Sequence, residues 1–90
     1  MRDKIFVKVH TMFDRTGFMM PQDIIWDDGR TFRIDQVTDF RPATLYGHPR
    51  GDCYTVIING ERRLLFFERG DPRFPTCFGR WFVEGAENAG

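Results

Sequence analysis

Asp27-Asp28-Gly29-Arg30, with its counterpart Asn59-Gly60, constrains this chain more than any other feature. Each sits between two runs rich in β-branched and aromatic residues. Ile24-Ile25-Trp26 and Thr31-Phe32-Arg33-Ile34 flank the first, and Tyr54 to Ile58 and Arg62 to Phe67 flank the second. Asp-Gly and Asn-Gly supply the positive φ of tight hairpin turns, so each marks a β-hairpin. Two hairpins in 90 residues, with no convincing helical stretch, predict a small all-β domain.

The remaining strands follow from period-two alternation. Ile5, Val7 and Val9 alternate with Phe6, Lys8 and His10. Asp14-Arg15-Thr16-Gly17 is a turn, and Phe18 to Trp26 returns as a second run, its first half confined by Pro21 to an edge or bend. Arg30 to Asp35 alternates cleanly, then loses phase at Gln36-Val37, where a β-bulge is the simplest repair. A type I′ turn at Asn59-Gly60 pairs Ile58 with Glu61 and Val56 with Arg63. Leu64-Leu65-Phe66-Phe67 puts apolar side chains on both faces, so this hairpin is central, or a loop or second subunit covers one face. Arg80 to Glu84 is the last short strand. The prediction is a barrel of five to six antiparallel strands, SH3-like or OB-like, over residues 1–84, with 85–90 as a flexible tail.

Asp39 to Asp52 reads as a long irregular segment holding Pro42, Gly47, Pro49 and Gly51, with a short helical turn at Ala43 to Tyr46 as an alternative. Long loops on rigid β scaffolds are where binding tends to sit. Arg41, Tyr46, His48 and Arg50 in that segment, with Arg62 and Arg63 beside the Asn-Gly turn, are therefore the candidate binding residues.

The formal net charge is zero, which implies no strong attraction to nucleic acid or an anionic membrane. Eleven of the 13 basic residues are Arg and nine of the 13 acidic residues are Asp, as suits Arg–Asp pairing on a solvated surface or an arginine-rich interface. The chain contains no serine, which excludes a serine nucleophile. No glycine-rich phosphate loop is present. His10, His48, Cys53 and Cys77 include no close ligand pair, so neither a metal site nor any other cofactor is expected. Cys53 opens an apolar strand and reads as a buried thiol, whereas Cys77 lies in a loop and reads as exposed. The acidic pair Asp27-Asp28 belongs to turn chemistry, so no catalytic residue is assigned. With no secretory signal or membrane-length apolar run, and with two cysteines that make no disulfide framework, the expected compartment is the cytoplasm.

Pro21-x-x-Ile24-Ile25-Trp26-Asp27-Asp28-Gly29-Arg30-x-Phe32-x-Ile34-Asp35, with Arg80 to Glu84, resembles a group of small uncharacterised bacterial all-β proteins. The likeness implies a hairpin in which Trp packs under the turn and Arg crosses it, and it carries over no activity or site. The expected function is a non-enzymatic interaction module of the bacterial cytoplasm that binds protein or peptide, with self-association as a homodimer. The alternative is a barrel that binds single-stranded nucleic acid through arginines and aromatics, and the third is a small metal-binding protein.

Overall fold

The computed structural model describes residues 3–45, 48–71, 73–74 and 76–85, with backbone alone at 43–45 and 48–50. Seven strands form one antiparallel sheet: β1 Asp3–Phe13, β2 Met19–Ile25, β3 Thr31–Arg33, β4 Gln36–Leu45, β5 His48–Ile58, β6 Glu61–Arg69 and β7 Gly79–Gly85. The order across the sheet is β3-β2-β1-β7-β6-β5-β4, and the sheet curls into a half-barrel. No helix is found among the described residues.

The curl is set by one local event. β3 pairs with β2 at one edge of the sheet, and β4 pairs with β5 at the other. Only Ile34 and Asp35 separate them. Three Cα steps span at most about 11 Å, so the two edges cannot stand further apart at that point. The switch of partners is visible in the hydrogen bonds. Ile34 N–H donates to the Gln22 carbonyl at 2.9 Å, and Asp35 N–H donates to the Ile57 carbonyl at 2.8 Å.

Seven strands replace the expected five to six because 39–52 is not an irregular segment. Its described residues extend β4 and β5 into a long hairpin, and 43–45 are strand rather than helical turn. Pro42 is tolerated because β4 is an edge strand, where a missing N–H costs no ladder bond on the open side. The phase break sensed at Gln36-Val37 is a register shift between Val37 and Asp39. Gly85, read as tail, closes β7 opposite Asp3, and 86–90 lie outside the described residues.

The turns follow their sequences. Asn59 and Gly60 have φ of 52° and 78°, and Ile58 faces Glu61 as a type I′ turn requires. The turns at 14–18 and 26–30 share another design. In each, the residue before the turn donates its N–H to the carbonyl four residues on and accepts the N–H of a glycine three residues on. Gly17 and Gly29 sit at φ 95° and 89°, the left-handed position of a three-residue hairpin loop.

The concave face carries the core: Ile24, Ile34, Tyr54, Val56, Leu65, Phe67 and Trp81. Val56 and Leu65 are fully buried, and burying each stabilises the fold by roughly 1.5–3 kcal/mol. The Tyr54 hydroxyl donates to the Met19 carbonyl at 2.9 Å, tying β5 to β2 across the concavity. A second, smaller cluster lies on the convex face. Phe6, Phe82 and Phe66 are neighbours across β1, β7 and β6. Phe82 stacks on Phe66 at 5.0 Å and meets Phe6 edge-on at 5.7 Å. Arg80 lies 3.9 Å above Phe6, and Glu68 accepts hydrogen bonds from both Lys4 and Arg80. The two-sided apolar character of Leu64 to Phe67 thus has its cause: β6 is central, with core on one face and this aromatic row on the other.

Candidate functional site

At one end of the half-barrel, the β2–β3 turn faces the β5–β6 turn across an open groove of about 660 Å³. That volume falls within the range of about 300–1,000 Å³ typical of ligand sites. Ile24, Val56 and Leu65 form its buried floor, and Trp26, Ile58 and Val83 extend it upward. Arg30, Arg62, Arg63, Glu61 and Glu84 form the rim.

Local sequence explains the rim. Four arginines pair with an acid two residues earlier on the same strand or turn: Asp28–Arg30, Asp39–Arg41, Glu61–Arg63 and Asp71–Arg73. In the two strand pairs, Asp39–Arg41 and Glu61–Arg63, residues i and i+2 share a face, and in the two turn pairs the Asp carboxylate also accepts the Arg main-chain N–H two residues on. Arg30 also lies over the Phe32 ring at 5.6 Å. The Arg30 N–H, with help from its guanidinium, holds the Asp28 carboxyl below the usual carboxylate range. Arg41 does the same for Asp39 through a 2.9 Å hydrogen bond. These carboxylates stay ionised and neutralise the arginines beside them. On the rim, Arg62 has no ion pair among the described residues and is the cation left over for a ligand.

Arg41, Arg62 and Arg63, the candidates whose side chains are described, do not converge on one site. Arg62 and Arg63 both reach the groove rim, yet they register with Ile57 and Val56 and so leave opposite faces of β6. Arg41 registers with Cys53, and Cys53 with Phe66. It therefore lies two strands across from Arg62, roughly 10 Å, and four residues along, roughly 13 Å. His48 and Arg50 are placed by backbone in β5 near the far end of the β4–β5 hairpin, and Tyr46 lies outside the described residues. The groove instead draws on Trp26, Ile58, Arg30 and Glu61, which the sequence reading treated only as turn and hairpin residues. Trp immediately before an Asp-Gly turn was the available signal, since a large aromatic beside a turn needs a surface to cover.

A smaller polar hollow of about 360 Å³ opens beside the β6–β7 connection, among Glu68, Arg69, Asp71, Cys77 and Arg80. Next to it, buried Asp52 accepts from Arg69 at 3.1 and 3.4 Å. Cys77 is exposed, whereas Cys53 is buried and its thiol pKa is pushed up by that burial. His10 is largely exposed, 3.5 Å from Asp23. Among the described residues, no three His, Cys, Asp or Glu side chains group to hold a metal ion. No helix there is long and apolar enough to cross a membrane.

No protein-family model, curated protein or solved structure matches this chain.

Proposed function

We propose that this chain is a non-enzymatic interaction module that binds an extended segment of another protein in the groove between the β2–β3 and β5–β6 turns. The observation that carries the reading is the groove itself, an open apolar concavity with an arginine rim. Aromatic residues and Arg are the types enriched at interfaces, with Trp and Arg most often the energetic anchors. Trp26 and Ile58 would contact alternate side chains of the segment. Arg62, which has no ion pair among the described residues, would reach from the rim to a carboxylate or main-chain carbonyl at the edge of the groove. Free thiols at Cys53 and Cys77 suit a cytoplasmic setting.

Selection of random displayed peptides on the purified chain tests this. Enriched sequences should alternate apolar residues and lose at least about tenfold in affinity, roughly 1.4 kcal/mol, against the Ile58→Asp and Arg62→Glu variants. Peptides that bind those variants equally well, or no enrichment, would defeat the reading. Binding of single-stranded DNA that weakens steeply with salt would put nucleic acid in the peptide's place.

A further inference from the structure

We infer that the edge strand β4 pairs with β4 of a second copy, antiparallel and centred on Phe40, to join two half-barrels into one continuous sheet. β4 hydrogen-bonds to β5 on one side, and its other side ends the sheet. An edge of this kind presents unpaired N–H and C=O groups as a template for a further strand. Residues 38–42 are exposed on both faces. Phe40 is 46% exposed although its ring packs edge-on against Tyr54 at 5.0 Å, so the concave side of this edge is open.

The residues around Phe40 identify the occupant. Asp39 and Arg41 lie on the same face of β4, joined at 2.9 Å. In an antiparallel pair with its two-fold axis at Phe40, Asp39 of each copy stands opposite Arg41 of the other, and Phe40 stands opposite itself. Opposite charges and aromatic pairs facing one another across strands are favourable, and like charges there are not. The self-complementary Asp-Phe-Arg order is what an isologous interface requires, because one patch must serve both partners. A register one residue away puts Asp39 opposite Phe40 and loses the pairing. The register shifts on either side of 39–43, together with Pro42, keep the ladder short. A long open edge that could recruit chains indefinitely is thereby reduced to one site for one partner, and the dimer is a micromolar one. No β4 residue lines the groove, so this interface stands or falls apart from the peptide reading.

Sedimentation equilibrium on the full chain tests the inference. The wild type should dimerise at micromolar concentration. Arg41→Asp, which sets Asp opposite Asp twice, should weaken the dimer at least about tenfold. The double variant Asp39→Arg with Arg41→Asp should restore it to within about threefold, since two opposite pairs re-form across the same strands. A monomer at every concentration, or a dimer indifferent to Arg41→Asp, would overturn it. Register has its own readout, which also serves if Arg41→Asp fails to fold. With Cys77 replaced by Ala, Phe40→Cys should oxidise to a covalent dimer, because facing Cα atoms of an antiparallel pair lie within disulfide range. Asp39→Cys should not. Equal cross-linking at both positions, or at neither, would count against the two-fold axis proposed here.

Discussion

The turns at 14–18 and 26–30 are built alike, yet their flanking aromatics meet opposite fates. Each closes through the same pair of main-chain bonds and the same left-handed glycine. Beside the second, Trp26 packs against the core. Beside the first, Phe13 and Phe18 are 63% and 62% exposed. The difference lies in the neighbours. The β1–β2 hairpin outruns β7 past Val7 and β3 past Asp23 as a two-stranded ribbon. Met19 at the base of this ribbon still packs against the core and accepts from Tyr54, but its tip over 10–18 is exposed. The 26–30 hairpin faces the β5–β6 turn across the groove. A turn's sequence fixes its own geometry, but whether the residues beside it are core or surface is decided by strands far away in the chain. Phe74 and Phe78, in the β6–β7 connection, are also exposed at the end where the β1–β2 ribbon projects, so this end displays its aromatic side chains, whereas at the groove end Trp26 and Ile58 are half-buried.

The sharpest test of that contrast compares Leu65→Ala with Phe18→Ala. Leu65 is fully buried, and its truncation is expected to cost about 2–5 kcal/mol. Phe18→Ala should stay within about 0.5 kcal/mol. Urea denaturation measures both, and a large loss at Phe18 would mean the ribbon is covered after all. Next come the glycines. A Cβ at Gly17 or Gly29 meets no atom within 4 Å, so only backbone strain opposes it. Gly17→Ala and Gly29→Ala should therefore cost nearly the same, about 1–2 kcal/mol each. Unequal costs would break the equivalence of the two turns.

A smaller effect is chemical. In the native protein a thiol reagent should modify Cys77 promptly and Cys53 only after unfolding, since burial also keeps the Cys53 thiol protonated. Two reactive thiols in the folded state would contradict the buried placement of β5. The mildest effect is with pH. The Thr16 hydroxyl, then the Phe18 N–H, lowers the pKa of Asp14, as the Arg30 N–H first lowers that of Asp28. A carboxyl whose folded pKa is depressed contributes stability above its unfolded value, about 3.9, and loses it as pH falls through the folded one. Stability should thus be flat from about pH 5 to 7 and decline only below about pH 4, and removing either Asp should flatten the acid limb slightly.

The all-β class, the three tight turns and the pairing of Ile58 with Glu61 were legible because each depends on residues close in sequence. β4 was not. Its Pro42 and its two register shifts erase the alternation that marks a strand, and only its position at the sheet edge makes them tolerable. The groove was hidden for a related reason: Trp26 and Ile58 are more than 30 positions apart and come to one groove through the curl of the sheet, which local pattern does not encode. The arginines at 41, 62 and 63, expected as binding residues, are exposed, but their spacing in sequence does not show the pleat that sends neighbouring side chains to opposite faces.

The pairing of β1 with β7 has a kinetic consequence. Every other ladder joins strands adjacent in the chain, whereas this one brings Asp3–Val7 to Trp81–Gly85. Loop-closure entropy is therefore concentrated in a single zippering event. The hairpins can form early and on their own. Refolding should wait on the moment when the amino-terminal strand finds its place, and Val7→Ala and Trp81→Phe, at the far end of that ladder, should slow it more than equally destabilising changes in β4.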